Sequence, residues 1–398
     1  MKILMINKFL YPRGGAETYM FKIGQQLEKQ GHEVEYFGMQ DKRNIVGNKD
    51  NIYAENLDFH EHRISAITYP FKIIYSNENK KKIRKILERF KPDIVHLNNI
   101  NFQLTPSIID EISEHNIPMI QTVHDLQMLC PNHLMFQGFK CCEKCKNGNY
   151  IECLKNKCIH DSIPKSLIGS IEGYLYHNKN TYKKVNYYIC PSKFIENKLL
   201  DYDNHTYMGK TEFLQNFIEL PKIDSKLQKQ NYMLYFGRFY EEKGIRLLIN
   251  VIKQCPDIQF IFAGDGPLKS LLTGIENISY VGFKNGKDLN NLIQQASCSI
   301  YPSIWYENCP LSILESEALG TPVIASNLGG IPELIENKIT GIIINEMTVE
   351  NISRIIKETY YNQTLLTNMQ KNCIKKRNTF LSIEQYCLNL EQIYKEFI

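Results

Sequence analysis

Apolar runs rich in β-branched and aromatic residues alternate with amphipathic helical stretches along almost the whole chain. That alternation restricts the fold to parallel sheets assembled from right-handed βαβ units. In the first half the strands read Lys2–Phe9, His32–Met39, Asp93–Asn98, Met119–His124 and Tyr187–Pro191. Helical spacing covers about Ala16–Gln30, Lys80–Phe90, Pro106–His115 and Pro164–Lys184. The stretch Asp41–Asn79 shows no period. In the second half the strands read Tyr232–Gly237, Ile258–Ala263, Ser279–Phe283, Cys298–Ser303, Pro322–Asn327 and Gly341–Ile344, with helices between most of them. With 398 residues there is room for two domains of roughly 150–200 residues each. The expected fold is α/β: two Rossmann-like domains facing a cleft, residues 1–210 and 211–381, followed by an amphipathic helix over 382–398.

Charge and hydropathy remove several function classes. A net charge of +4 is too small to suggest nucleic acid as a partner. No apolar run reaches the ~18–20 residues that span a bilayer. The opening MKILMINKF runs into a Gly-rich turn instead of a small-residue cleavage site, so it reads as a buried strand and the expected location is cytoplasmic. The run Lys80-Lys81-Lys82-Ile83-Arg84-Lys85, near Tyr69, Phe71 and Tyr75, reads either as a solvated helix face or as a peripheral contact with an anionic leaflet.

Ligands of open α/β sheets bind outside the carboxyl ends of the strands, so the residues just after each strand are the candidates. After the first strand, Gly14 and Gly15 open directly into a helix, where backbone amides can approach an anion. After the fourth comes His124-Asp125, a base or hydroxyl-binding group whose ring Asp125 could orient. The second half opens on Gly237-Arg238, with Lys243-Gly244 five residues on; two fixed cations there suit a diphosphate and the charge that develops on a phosphate leaving group. Gly264-Asp265-Gly266-Pro267 follows the next strand as a turn shaping a nucleotide pocket. In CSIYPSIWYENCPLSILESEALGTPVIASNLGGIPE, Glu307 precedes a helix that Pro310 opens and Gly320 stops, and Glu315 points away from the Leu311, Leu314, Ala318 face. Two carboxylates beside a helix N-terminus can bind hydroxyls or stabilise developing positive charge.

This ordered set resembles the retaining glycosyltransferases of the GT-B fold known as glycosyl transferases group 1, or family four, of the bacterial surface-polysaccharide type. The Gly14-Gly15 loop, Gly237-Arg238…Lys243-Gly244, Ala263-Gly264-Asp265-Gly266-Pro267 and Glu307-x7-Glu315 carry the resemblance, with Ser303, Gly320, Pro322, Gly329-Gly330 and Glu333 also in place. It implies that Arg238 and Lys243 bind the donor diphosphate without a metal and that Glu315 holds the ribose. Glu307 and His124 would contact the transferred sugar, and Gly15 would present its backbone to the diphosphate. Amides of Asn308, Cys309 and Leu311 would surround sugar and phosphate. The implied activity is transfer of a hexose from a UDP-linked donor to a glycan or lipid-linked acceptor, with retention, in surface polysaccharide biosynthesis. The terminal helix would fold back across the first domain. Epimerases and phosphorylases share the fold and stay open as alternatives, as does a non-catalytic sugar-binding subunit.

Six of the twelve cysteines fall between Cys130 and Cys158. Cys142-x2-Cys145 has zinc-knuckle spacing, and four thiolates make a closed structural site. The resemblance, in which some members carry a similar insert after the His-Asp strand, implies Cys130, Cys142, Cys145 and Cys158 as ligands, with Cys153 able to replace Cys130. Reduced thiols in a lid loop and an iron–sulfur cluster are the other readings.

Overall fold

The computed structural model describes residues 1–56 and 69–398. It divides into two units, Met1–Met135 with Cys142–Gln215 and Ile383–Ile398, and Asn216–Ser382 with Phe136–Cys141. In the first unit, β1 (Lys2–Ile6), β2 (Glu33–Phe37), β3 (Ile94–Leu97) and β4 (Met119–Thr122) precede a short hairpin of β5 (Phe136–Gln137) and β6 (Lys140–Cys141). β7 (Tyr187–Cys190) and β8 (Thr211–Phe213) complete a parallel sheet of order β2-β1-β3-β4-β7-β8. Every residue of β3 and β4 is buried. Central strands of a parallel sheet are covered on both faces, so even the polar His96, Gln121 and Thr122 of these strands are buried.

Several boundaries differ from expectation for identifiable reasons. The helix expected from Lys80 starts at Asn77, because Ser76 caps it by accepting from Asn79 N at 3.1 Å. The stretch Pro164–Lys184 is helical only over Ile163–Asn178; Asn180 then turns left-handed (φ 51°) and a single tight turn follows at Tyr182–Lys184. The helix Lys193–Tyr207 is capped by Ser192 and runs on through most of the polar stretch Asp201–Lys210 that precedes the expected domain boundary. Thr211–Phe213 pairs with β7 and so belongs to the first sheet, not to the start of the second. The terminal helix Ile383–Lys395 groups with the first unit and buries Tyr386, Cys387, Leu390, Ile393 and Tyr394. Residues 57–68 of the aperiodic stretch, and the side chains of Tyr69 and Phe71, lie outside those described.

The second unit holds β9 (Gln230–Arg238), β10 (Gln259–Asp265), β11 (Ile278–Gly282), β12 (Ala296–Tyr301), β13 (Val323–Ser326) and β14 (Gly341–Ile344). All pair in parallel, in the order β11-β10-β9-β12-β13-β14. Tyr235, Phe239, Phe260 and Phe262 pack with Leu248, Ile252, Ile352 and Ile356 from the flanking helices into one core. This is the doubly wound order, and strand sequence reverses between β9 and β12, where such sheets open a crevice for ligands. The corresponding reversal in the first sheet lies between β1 and β3.

Candidate active site

The carboxyl ends of β9 and β12 carry the densest polar cluster of the second unit. Glu307 is 5 % exposed. Its Oε1 accepts from Lys243 Nζ at 2.6 Å, Trp305 Nε1 at 2.7 Å, Tyr301 OH at 3.1 Å and Ser303 Oγ. Burial alone would raise the Glu307 pKa, but the Lys243 ammonium and these donors hold it below the ordinary value. The carboxylate is therefore anionic at neutral pH although it is buried. The backbone enforces this placement. Gly330 N donates to Glu307 O at 2.7 Å, and Gly329, at φ 65°, leaves no room for a side chain because a Cβ would lie 2.1 Å from that same carbonyl. Lys243 ends a tight turn, Glu241–Lys243, before the helix Ile245–Lys253; its ammonium also bonds Tyr301 OH at 3.1 Å and lies 5.2 Å from the Trp305 ring centroid.

Arg238 is the contrasting cation. It ends β9, is exposed, and lies over the Tyr240 ring at 5.2 Å. Among the described residues it has no carboxylate partner, so it is the cation available to an incoming anion, whereas Lys243 is already engaged. Gly237 is exposed beside it, and Gly266 supports the neighbouring loop from behind, since a Cβ there would strike the Phe239 backbone at 2.6 Å.

Pro310 occupies the cap position in extended geometry, one residue earlier than expected, and the helix runs Leu311–Ala318. Cys309, Ile313, Leu314 and Ala318 are buried in a cluster with Tyr301 and Val323, with Leu311 packed against it. Burial pushes the Cys309 thiol up to about 12, so it stays protonated. Asn308 and Glu315 are half-exposed. Glu317, by contrast, is fully buried, accepts from Thr340 Oγ1 at 2.6 Å and pairs with Lys376 at 2.9 Å, which gives it a structural role. Tyr301 and Trp305 went unrecognised in the sequence; the chain's single tryptophan, two residues before Glu307, was the available signal.

In the first unit, Gly14 caps the helix Gly15–Lys29 in extended geometry, and a Cβ on Gly15 would meet nothing within 4 Å. Asn7, just past β1, accepts from Asn99 N at 3.0 Å and donates to buried Glu17 at 3.1 Å, tying the ends of β1 and β3 to that helix. Lys8 stands there too, its pKa lowered by burial against the opposing charges of Asp125 and Glu17. His124 Nε2 donates to Asn98 Oδ1 at 2.8 Å, and the Tyr19 ring meets the imidazole edge-on at 4.8 Å. Asp125 does not orient the ring; its Oδ1 accepts from Gln127 N at 3.0 Å. Burial lowers the His124 pKa to about 4, which leaves a neutral imidazole. Behind it runs a buried network. Tyr19 OH bonds Thr122 Oγ1 at 2.9 Å and Tyr386 OH at 2.7 Å, while His96 bonds Thr122 Oγ1 at 2.8 Å and Tyr394 OH.

The cysteine segment divides. Cys130 Sγ donates to Asn132 Oδ1 at 3.0 Å, while Cys145 and Cys153 are buried together around Tyr150 with Cys158 packed against them. Among the described residues, no group of three or more cysteine, histidine or carboxylate side chains is placed to hold a metal ion. Cys141 groups with the second unit, its Sγ 3.7 Å from Ile304 O. Cys142 N donates to Met135 O at 2.7 Å, and no disulfide forms.

Two Rossmann-like domains, the second with paired basic and acidic groups at its switch point, define a GT-B glycosyltransferase. Family models agree: Glycosyltransferase Family 4 matches residues 13–220 and Glycosyl transferases group 1 matches residues 216–377. The chain belongs to this family. It is 23% identical over 396 residues to the uncharacterized glycosyltransferase MJ1607 of Methanocaldococcus jannaschii, covering 94% of each chain. A 152-residue segment is 28% identical to the Escherichia coli UDP-Gal:alpha-D-GlcNAc-diphosphoundecaprenol alpha-1,3-galactosyltransferase, covering 36% of this chain and 38% of that one. Among solved structures, Anabaena Alr3699/HepE in complex with UDP and glucose superposes over 100% of both chains with a TM-score of 0.69 at 16% identity.

Proposed function

We propose that the chain is a retaining glycosyltransferase that moves a hexose from a UDP-linked donor to a glycan or lipid-linked acceptor of a surface polysaccharide. The observation that carries the reading is the Glu307 carboxylate, kept ionised in a buried cage with Lys243, beside an exposed Arg238 at the second sheet's switch point. In this reading Arg238 meets the donor diphosphate first. Lys243 exchanges part of its contact with Glu307 for a phosphate oxygen and stabilises the charge that grows as the sugar leaves. Fixed cations then perform what a metal performs in other transferases. Glu307, with one oxygen saturated by protein donors, faces the hexose, Glu315 binds the ribose hydroxyls, and the neutral His124 ring accepts or donates at a sugar hydroxyl.

The relatives favour this donor and acceptor. One bears a UDP-galactose and diphosphoundecaprenol name, and one solved neighbour was crystallised with UDP and glucose. A peripheral membrane contact has narrower support: Lys80, Lys82 and Arg84 are each paired with a glutamate, so among the described residues Lys81 and Lys85 are the exposed cations of the run outside an ion pair. No helix among the described residues is long and apolar enough to cross a membrane. The test is incubation with a panel of UDP-hexoses and lipid-linked or oligosaccharide acceptors, following UDP release and product anomeric configuration by NMR. An α-linked product from an α-linked donor is expected. Inversion, or release of no nucleotide from any donor with any acceptor, would overturn the reading.

A further inference from the structure

The Glu307 carboxylate is held by one oxygen only. Oε1 accepts from Lys243 Nζ at 2.6 Å, Trp305 Nε1 at 2.7 Å, Tyr301 OH at 3.1 Å and Ser303 Oγ. Among the described residues, no hydrogen bond reaches Oε2. A carboxylate oxygen offers about two lone-pair sites, so four donors exceed its capacity. A carboxylate buried for structure alone shares its partners between both oxygens. Glu317 does so, with Thr340 Oγ1 at one oxygen and the Lys376 ammonium at the other.

The backbone around Oε1 is fixed from several sides. Ile304 N donates to Glu242 O at 3.0 Å, which ties the loop after β12 to the turn that carries Lys243. Gly244, at φ 73°, presses that turn against the same loop, so closely that a Cβ would lie 2.0 Å from Pro302 O. Trp305 stands in this loop, two residues before Glu307. Two of the donors also face the ammonium: Lys243 Nζ lies 5.2 Å from the Trp305 ring centroid and 5.5 Å from that of Tyr301. Tyr301 is buried and bonds Lys243 directly, so it belongs to the core of the cage. Trp305 is half-buried and meets the ammonium only through its ring. Its N–H serves the carboxylate and its face serves the cation.

We propose, on the transferase reading above, that Trp305 is a positioning residue of sugar transfer: its indole N–H keeps Glu307 in one orientation, Oε2 toward the sugar, while Lys243 turns to the donor diphosphate. The excess of donors then has a use. With Lys243 turned away, Oε1 keeps three neutral donors, so the carboxylate neither rotates nor takes up a proton when its counter-cation leaves. Until then the indole face holds the ammonium, and it releases a cation more readily than a second carboxylate would.

Trp305 is the chain's single tryptophan, so its emission reports on this site without background. Titrating UDP into the full-length wild type should change that emission saturably, as Lys243 leaves the ring. No change at UDP concentrations that calorimetry shows to be saturating would overturn the proposal. Trp305→Phe keeps a ring and removes the N–H. It should lower kcat at least about tenfold and leave donor KM within about threefold. It should also move the acid limb of the kcat–pH profile up by about one pH unit, because Glu307 loses a donor that favours its charged form. An unmoved acid limb with kcat unchanged, or a loss confined to thermal stability, would overturn the proposal. Should Trp305→Phe fail to fold, the emission titration of the wild type decides. Absence of both UDP binding and turnover with any donor would overturn the transferase reading, and this role of Trp305 with it.

Discussion

Glu307 and Lys243 form a buried ion pair, and removing one partner strands the other. Glu307→Gln keeps an amide oxygen for Lys243 to bond but removes the countercharge, in a site where Lys243 is about nine-tenths buried against Tyr301 and Trp305. Stability should fall by about 3 kcal/mol in denaturant titrations, and turnover by at least ~100-fold in initial-rate assays. Unchanged stability would mean that the pair does not exist in solution. The pH dependence has a definite sign. The folded-state pKa of Glu307 is depressed, so its contribution is complete above the unfolded value and is lost as pH falls through the folded one. Gly15 offers the opposite case, a position with no structural demand visible within its own unit. Gly15→Ala places a methyl in open space and should leave stability within about 0.5 kcal/mol. If a diphosphate approaches that backbone, donor turnover should nevertheless drop at least about tenfold, and equal turnover would remove Gly15 from the site. The residues at strand ends were legible because strand periodicity indicates where strands stop. Tyr301 and Trp305 were not, because their role depends on a shared carboxylate oxygen that no spacing rule reveals.

The terminal helix Ile383–Lys395 acts on the first unit through side chains that meet across most of the chain's length. Tyr386 and Tyr394 complete the hydrogen bonds of Tyr19 and His96, directly behind His124. Tyr386→Phe removes one buried hydrogen bond and should cost about 1 kcal/mol. It also frees Tyr19 to shift against the imidazole, so turnover should fall more than donor KM rises, and the acid limb of the pH–rate profile should move. A pure stability loss, with turnover intact, would show that the helix does not position His124. Sequence periodicity exposed this helix but not its contacts, since the Tyr19–Tyr386 pair spans 367 positions. The extension of the helix Lys193–Tyr207 past Asp201 was hidden for another reason. Its C-terminal half, DYDNHTY, is polar in sequence, yet Tyr202, Thr206 and Tyr207 are buried by tertiary packing. Thr211–Phe213 misled because the strand is only three residues long and Leu214-Gln215-Asn216-Phe217 follows it with no Gly or Pro to mark where it stops.

Across the whole molecule, buried titratable groups set how stability follows pH. Neutral His96 and His124, with pKa values of about 3 and about 4, take up protons on unfolding. Stability should therefore fall as pH drops below about 6.5, by up to ~1.4 kcal/mol per pH unit for each ring. Glu172 works the other way. It lines a cavity in the first unit with Gln127, Tyr150, Tyr176 and Tyr202, and burial raises its pKa to about 7 against a single donor, Asn101. Its favourable contribution is present below the unfolded carboxylate pKa and is lost as pH rises through about 7. Glu172→Gln should consequently raise the thermal midpoint at pH 8 and leave it unchanged at pH 4; a fall at pH 8 would mean that the carboxylate is charged and paired. The two-domain plan itself was readable from strand and helix alternation. The division of the cysteine segment was not, because it depends on which thiols the loop turns bring together.

The central claim is that Arg238, the exposed cation at the end of β9, receives the donor diphosphate while Lys243 waits in its pair with Glu307. Calorimetric titration of UDP into wild type and Arg238→Ala tests it most directly, because the side chain is exposed and its loss should not disturb folding. The account predicts saturable UDP binding to the wild type and at least about 30-fold weaker binding to the variant, a loss of about 2 kcal/mol. Equal affinity for UDP in both proteins would contradict it.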